Sequence, residues 1–336
     1  MKYDAIVLGA GAAGLLCAAI AGQRGRKVVV LERNREPGKK ILISGGGRCN
    51  FTNLHCRPEH FLSSNPAFAR SALARYQPSD FIALVERYRI AYHEKTLGQL
   101  FCDGSSRQIL DLLIEQCRCG GVELLTGCEV SAVREGFVAE TSCGTFEAPA
   151  LVVATGGLSI PKIGATDLGY RLARQFGVNV LAPRPALVPL LFGDEDRVRW
   201  SDLAGIATSC AVSVLGTNPV PLGTVPNGTR EVPGAPTFEE GLLFTHRGLS
   251  GPAILQASSY WWPGARLTMD LLPRVNLVAE IVKRRSAGDT ASTKTAVAAH
   301  LPNRLAERWF EAMAQASVIA TTSNDTIRAL ENGLHA

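Results

Sequence analysis

One short glycine-rich stretch near the N-terminus constrains the fold more than any other feature of the 336 residues. Residues 3–8 (YDAIVL) predict a buried parallel strand, and the Ala- and Leu-rich residues 15–23 predict a helix. Between them lies GAGAAG at positions 9–14, and residues 27–31 (KVVVL) predict a second strand, which ends at Glu32. Strand, glycine turn, helix and strand in this order are typical of a dinucleotide-binding βαβ unit.

The glycines of this turn have separate physical roles. Gly9 allows the tight turn out of the strand, Gly11 lets a pyrophosphate approach the backbone, and Gly14 lets the helix pack closely on the strand. The helix N-terminus offers unpaired N–H groups to the phosphates. Glu32 can accept hydrogen bonds from ribose hydroxyls, and a carboxylate at this place argues against a 2′-phosphate. We therefore expect FAD or NAD rather than NADP.

The segment after the βαβ unit favours a flavoprotein over a simple NAD dehydrogenase. Residues 38–53 (GKKILISGGGRCNFTN) contain three consecutive glycines, which cannot form a core strand. They predict a loop against a flat or anionic ligand, with a plain flexible loop as the alternative. Residues 150–153 predict a strand that leads into ATGG at 154–157, after β-hairpins predicted over 122–148. This is the layout of two-dinucleotide-binding-domain flavoproteins, an α/β class with a Rossmann-like FAD-binding domain.

Several stretches resemble the BaiN-type (YhiN-type) NAD(P)/FAD-dependent oxidoreductases, some of which are aminoacetone oxidases. These stretches are VLGAGAAGLLCA (7–18), GKKILISGGGRCNFTN (38–53), VVATGGLSIPKIGATDLGY (152–170), LVPL (187–190) and LLFTHRGLSGPAILQAS (242–258). The resemblance implies noncovalent FAD in a split domain, interrupted by an antiparallel β-barrel-like unit and a small helical unit. It implies hydride transfer between flavin and NADH, NADPH or a small organic substrate.

The resemblance also implies a set of cofactor-binding residues. They are Gly9, Gly11, Ala13, Gly14 and Glu32 on the ADP half, Lys39, Ser44, Gly45, Gly46, Arg48 and Asn50 near the pyrophosphate and flavin, and Thr155, Gly156 and Gly157 along the cofactor. Cys49 has no partner in a C-x-x-C motif, so we expect a small packed residue rather than half of a redox pair. Metal-ligand spacing is absent from the sequence, and no metal is expected.

The C-terminal end departs from the family pattern. Members of the family return to the FAD domain through a Gly-Gly-Val strand and a Gly-rich helix start, and the sequence contains neither. Residues 321–325 instead predict a helix N-cap. A truncated, degenerate flavin-fold protein with weak or no catalysis is therefore the alternative function.

The chain changes character after residue 187. Residues 188–270 are rich in proline and in short alternating apolar runs, which predict a β-rich insert with a long lid-like loop at 216–236. Residues 275–285 and 294–316 predict helices. The expected domains are 1–187 (FAD-binding), 188–270 (β-rich) and 271–336 (helical).

The sequence FTHRGLSGP at 244–252 is the insert's best candidate for chemistry. His246 and Arg247 are expected to hold or protonate a substrate beside the flavin. The alternative for His246 is a structural imidazole that fixes the turn. Ser250 is expected to cap a helix that begins at Pro252.

Charge and cysteine content bound the partners. A net charge of +5 is mild and diffuse, and no basic patch with interleaved aromatic residues stands out. We therefore expect a small-molecule substrate and no nucleic acid, with an RNA-modifying flavoprotein as a further alternative.

Nine cysteines without a C-x-x-C pair suit a reducing cytoplasm. Glycines interrupt the uncharged residues 5–23, so neither a signal peptide nor a membrane partner is expected. The sequence gives no basis for predicting the oligomeric state.

Overall fold

The computed structural model describes residues 2–63, 65, 67–215, 236–313 and 317–335, without the side chains of residues 312 and 313. The predicted loop at 216–236 lies outside the described residues except for its last position. The chain divides into two compact units, Met1–Ala182 and Pro183–Ala336. Among the described residues, no helix combines the length and the apolar character needed to cross a bilayer.

The first unit combines a parallel sheet, two small antiparallel sheets and the helices that pack on them. Its strands are β1 (Ala5–Leu8), β2 (Val28–Glu32), β3 (Asn50–Asn53), β4 (Tyr92–Glu94), β5 (Gln99–Cys102), β6 (Glu123–Thr126), β7 (Val130–Arg134), β8 (Val138–Thr141), β9 (Gly144–Glu147) and β10 (Leu151–Val153). Its helices are α1 (Ala12–Gln23), α2 (Lys39–Ile43), α3 (Arg70–Arg75), α4 (Pro78–Arg87), α5 (Arg107–Cys119) and α6 (Leu168–Gln175).

The parallel sheet has the strand order β10-β1-β2-β6. Strand β2 is buried along its whole length, as a strand covered on both faces of a parallel sheet must be. The predicted βαβ unit and the strand before ATGG are confirmed. The prediction of hairpins from residue 122 onwards is wrong at its start, because β6 pairs in parallel with β2. It follows α5, and a strand that returns through a helical crossover enters the sheet in the parallel direction.

The remaining strands of this unit form two antiparallel sheets, β3-β5-β4 and β7-β8-β9. The second of these is the β-ribbon that the sequence predicts after residue 128. The first joins the segment after the glycine-rich loop to two strands within residues 92–102, which were not predicted from the sequence.

The second unit places helices against an antiparallel sheet. Its strands are β11 (Leu190–Leu191), β12 (Ala207–Leu215), β13 (Phe238–Thr245), β14 (Gly248–Ser250) and β15 (Arg266–Asp270). Its helices are α7 (Asp194–Trp200), α8 (Pro252–Ser258), α9 (Leu277–Ser286), α10 (Thr293–Ala298), α11 (Asn303–Met313) and α12 (Asn324–Leu334).

The sheet of this unit has the order β11-β14-β13-β12-β15, with antiparallel pairs throughout. One hydrophobic core extends from Leu203 in the β-rich segment to Leu334 in the last helix. The predicted segments 188–270 and 271–336 therefore lie in the same compact unit. A boundary between two separate domains at residue 270 stays a prediction.

Three local predictions in this unit have different outcomes. The described part of the helix predicted over 294–316 is two helices, α10 and α11, because Pro302 between them lacks an N–H and cannot continue the first. Residues 314–316 lie outside the described residues. Ser250 does not cap α8: it pairs with Leu243 as the last residue of β14, and Gly251 with φ +94° occupies the cap. The N-cap before α12 is confirmed, since the Ser323 side chain accepts from the backbone N–H of Thr326.

Candidate functional site

A cleft in the first unit opens where β1 and β2 end and the first helix begins. Its lining consists of residues 8–11, 31–34, 38–40, 128–130, 154–156, 163–166, 168 and 171. Ligands bind at the carboxyl ends of the strands in open parallel sheets. We refer to this site as the nucleotide cleft.

Two glycines of the turn are required by backbone packing, and a third leaves room for a ligand. A Cβ at Gly14 would lie 1.9 Å from the carbonyl oxygen of Gly9. Gly9 has φ +102°, and a Cβ there would lie 2.6 Å from the Ala154 carbonyl oxygen. A Cβ at Gly11 would meet no described atom within 4 Å. Gly11 is also the N-cap of α1, so this open space adjoins the free N–H groups of a helix N-terminus.

The carboxylate of Glu32 is buried, with a residue exposure of 8%, and is held by three hydrogen bonds of 2.8 Å. Its Oε2 accepts from the backbone N–H of Ala10, and its Oε1 accepts from the backbone and side-chain N–H groups of Asn34. A carboxylate has about four acceptor positions, so one remains for a ribose hydroxyl. Asn34 is not among the site residues predicted from the sequence. Its position two residues after Glu32 could have indicated this role, because an Asn side chain readily forms hydrogen bonds with groups close to it in the chain.

Two lysines tie separate loops of the cleft together. Lys39 Nζ donates to Asn34 Oδ1 at 2.9 Å. Lys40 Nζ donates to the Gly157 carbonyl at 3.0 Å and to Ser159 Oγ at 2.9 Å. Both lysines line the cleft, so positive charge stands close to where the helix N-terminus points. The roles of Lys40 and Ser159 in fixing the loop after β10 were not predicted.

The glycine-rich loop folds as a tight turn over Ser44–Gly47, followed by β3. Gly45, Gly46 and Gly47 have φ values of +58°, +67° and +86°, which side chains rarely adopt. A Cβ on Gly46 or Gly47 would meet no described neighbour within 4 Å. The turn therefore presents bare backbone, as the prediction of a loop against a ligand requires.

The cleft gathers some of the predicted cofactor-binding residues and not others. Its lining includes Gly9, Gly11, Glu32, Lys39, Thr155 and Gly156. Ala13, Gly14, Ser44, Gly45, Gly46, Arg48, Asn50 and Gly157 lie outside that lining. Their roles toward a cofactor stay predictions.

Cys49 follows the glycine turn and is a packed residue, as expected. It is 5% exposed and belongs to the core of the first unit. Burial raises the pKa of its thiol above the usual value, which disfavours the reactive thiolate. All nine cysteines are free thiols.

His246 and Arg247 form the exposed turn between β13 and β14 in the second unit. Thr245 Oγ1 fixes this turn by accepting from the backbone N–H groups of Arg247 at 3.3 Å and Gly248 at 3.1 Å. The alternative role for His246 was to fix this turn through its imidazole, and in the structure Thr245 makes hydrogen bonds that fix it. The roles of His246 and Arg247 toward a substrate stay predictions.

The nucleotide cleft fits the ADP half of a dinucleotide. It has open space at Gly11, the N-terminus of a 12-residue helix, and a buried carboxylate with a remaining acceptor position. Those are the groups that pyrophosphate and ribose need. The donor set thus agrees with FAD, the cofactor that the resemblance implies.

Comparison with known proteins gives relatives over nearly the whole chain. Ribosomal RNA dihydrouridine synthase of Escherichia coli K12 is 47% identical over 310 residues, which cover 91% of this chain and 73% of the relative. The protein of the same name from Haemophilus influenzae is 41% identical, with 98% and 80% covered. The 3-dehydro-bile acid delta(4,6)-reductase of Clostridium scindens is 29% identical, with 82% and 64% covered.

These relatives are named for activities other than the aminoacetone oxidation that the resemblance suggested for some members. The family model described as HI0933-like protein Rossmann domain matches residues 3–321. That match confirms the Rossmann-like α/β fold class. The chain therefore belongs to the HI0933-like family of Rossmann-domain proteins.

Proposed function

We propose that this protein is an FAD-dependent reductase that uses NADH or NADPH to saturate the C5=C6 bond of a uridine in ribosomal RNA. The nucleotide cleft carries the cofactor part of this proposal, because its open glycine turn and buried Glu32 match the ADP half of FAD. The names of the two relatives at 47% and 41% identity support the substrate.

Within the cleft, the residues divide the work of holding the cofactor. The backbone from Gly9 to Gly11 and the N-terminus of α1 would bind the pyrophosphate, and Glu32 would accept from the ribose. The bare backbone of residues 44–47 and the loop 155–157 would lie along the flavin half. Bound FAD would supply the two-electron chemistry, taking a hydride from the nicotinamide and delivering it to the substrate.

The relatives' names share one kind of chemistry. Dihydrouridine is uridine with its C5=C6 bond saturated, and a delta(4,6)-reductase acts on ring double bonds near a keto group. In both cases the double bond is conjugated with a carbonyl, which makes the distal carbon a hydride acceptor. This shared chemistry supports reduction of an activated C=C bond as the reaction class of this chain.

The reduction balances as one hydride and one proton added across the double bond. The overall reaction consumes uridine, NAD(P)H and one proton and yields dihydrouridine and NAD(P)⁺. The hydride adds to C6 and the proton to C5, so a proton donor is needed. His246 is our candidate for that donor, and Arg247 is our candidate for orienting the substrate through its guanidinium N–H groups.

A small conjugated ketone is the second candidate substrate. The bile acid reductase relative favours it, and so does the expectation of a small-molecule substrate from the sequence. The two candidates share cofactor and reaction class, and they differ only in what occupies the substrate side.

The test begins with FAD-loaded full-length protein and anaerobic addition of NADH and NADPH in turn. Bleaching of the flavin absorbance identifies the electron donor. The reduced protein is then incubated with ribosomal RNA that lacks dihydrouridine, and the nucleosides are analysed by mass spectrometry. Dihydrouridine formation supports the proposal, and reduction of a steroid dienone without dihydrouridine favours the second candidate. A chain that takes up no FAD refutes both and favours the degenerate alternative.

His246 is tested by the variant His246→Gln, which removes the acid and keeps a side chain of similar size. We expect flavin bleaching to persist and product formation to fall by about 10²-fold or more. Equal rates of product formation in variant and parent would remove His246 from the mechanism.

A further inference from the structure

The first unit has a groove outside the nucleotide cleft, and we propose that it binds a single-stranded segment of RNA. Its cavity volume is about 460 Å³, and Arg57 and Arg70 line it together with the apolar side chains of Leu54, Leu73 and Ile82. We call it the arginine groove. This inference rests on the proposed function, since it gives the substrate RNA a binding surface.

The charge of the groove is uncompensated. Arg57 and Arg70 are exposed and form no ion pair with any described residue, and no described acidic residue lines the groove. By contrast, Arg107 pairs with Glu36 on the same unit. Two unpaired guanidinium groups in one concave surface suit phosphate, to which each can donate two hydrogen bonds.

The same chain segment exposes aromatic rings. Phe61 is 48% exposed and Phe68 is 78% exposed, and both lie between Arg57 and Arg70 in sequence. The Phe68 ring in particular is mostly open to solvent, so its face is free to contact a ligand. Unstacked bases bind on such rings while cations hold the backbone, which is how single strands are recognised. Paired RNA would leave the rings unused, because its bases are already stacked.

The groove is anchored to the sheet that follows the glycine turn. It begins at Leu54, directly after β3, and the backbone N–H of Leu54 donates to the Gly98 carbonyl at 2.9 Å. Asn53 reinforces this link: its Oδ1 accepts from the backbone N–H of His55 at 2.7 Å, and its Nδ2 donates to the Leu97 carbonyl at 3.0 Å. A strand of RNA in the groove is therefore bound to a fixed part of the first unit.

The experiment measures binding of a fluorescein-labelled single-stranded oligouridylate of about 12 nucleotides to the FAD-loaded full chain across a salt series. The double variant Arg57→Gln/Arg70→Gln should make the slope of log K against log salt less negative by about 1.4, which is about 0.7 for each lost phosphate contact. Phe68→Ala should weaken binding by about tenfold with the slope unchanged.

Arg75→Gln is the matched control, because Arg75 is exposed on the same short helix as Arg70 but does not line the groove. Its slope should stay close to that of the parent. The inference is overturned if the double variant keeps the parental slope, or if Arg75→Gln changes it as much. Equal affinity of the parent for double-stranded RNA of the same length overturns it as well. Thermal midpoints and flavin spectra show that each variant is folded.

The outcome is separable from that of the proposed function. If the parent forms dihydrouridine and the double variant does so with the same KM for RNA, the groove inference fails and the function stands. If the parent binds the oligouridylate through the two arginines but reduces no uridine, the function fails and the groove stands.

Discussion

The nucleotide cleft and the arginine groove lie in the same unit, and they are built in opposite ways. The cleft combines backbone groups, glycines and lysines with one buried carboxylate whose hydrogen bonds are made within the protein. The groove has two exposed arginines, which form no ion pairs with the described residues, among apolar and small side chains. In the cleft the fold itself depends on the residues that would bind the ligand, whereas in the groove only the ligand depends on them. Substitutions in the two places should therefore have different consequences for stability.

The largest effect is expected at Gly14. In Gly14→Ala the new Cβ would lie 1.9 Å from the Gly9 carbonyl oxygen, so the helix must move away from the strand. We expect the free energy of unfolding to fall by about 3 kcal/mol, at the upper end of overpacking costs. Denaturant unfolding monitored by circular dichroism measures it.

Gly11→Ala is the matched control for that variant. Gly11 has φ −87°, and its Cβ would meet no described neighbour, so the stability should change by less than about 1 kcal/mol. Because the methyl group occupies the space of the pyrophosphate, the affinity for FAD should fall. Equal destabilisation by both alanines would contradict the division of roles between the two glycines.

A smaller loss is expected at Glu32. In Glu32→Ala the backbone N–H groups of Ala10 and Asn34 lose their acceptor, and burial of unpaired donors costs about 1–3 kcal/mol. Glu32→Gln keeps one side-chain oxygen and should lose less stability. Thermal unfolding without FAD separates this structural cost from the loss of ribose binding. If the apo stability of Glu32→Ala equals that of the parent, the carboxylate serves the ligand alone.

The thiol reactivities of two cysteines, one beside the glycine turn and one in the groove, provide a chemical comparison of the two regions. Cys49 lies beside the glycine turn, and its burial raises the pKa of its thiol, whereas Cys56 lines the groove and is partly exposed. A raised thiol pKa means less thiolate at a given pH, so Cys49 should react with a thiol reagent at pH 8 about tenfold more slowly than Cys56. The rate at which Cys49 reacts should still increase with pH above the range in which an ordinary thiol ionises. Peptide mapping by mass spectrometry gives both rates, with exposed Cys119 as the fast reference.

The smallest effect on stability is expected in the groove. Arg57→Gln/Arg70→Gln removes two charges that have no ion-pair partner among the described residues, so the free energy of unfolding should change by less than about 0.5 kcal/mol. Arg75→Gln provides the reference for a charge change on the same helix. A loss above 1 kcal/mol in the double variant would mean that these arginines stabilise the fold, and the contrast with the cleft would disappear.

Sequence reasoning succeeded where the requirement is local. A strand, a glycine turn and a helix follow one another directly in residues 5–23, and the structure confirms this predicted local fold. The place of the nucleotide stays a prediction. It failed for β6, Ser250 and the helix at 294–316. There the outcome depended on a helical crossover, on a strand partner, and on where a proline interrupts a helix.

The role of Gly11 toward a pyrophosphate stays a prediction, whereas the sequence was sufficient to specify the βαβ unit, the tight turn at Gly9 and the close packing at Gly14. These follow from backbone conformation and steric limits, which consecutive residues specify. Tertiary structure alone decided that Lys40 would hold the Gly157 carbonyl and that Arg57 and Arg70 would line one groove. Such contacts join residues far apart in the chain, and no periodicity records them because only the packing of whole elements sets their distance.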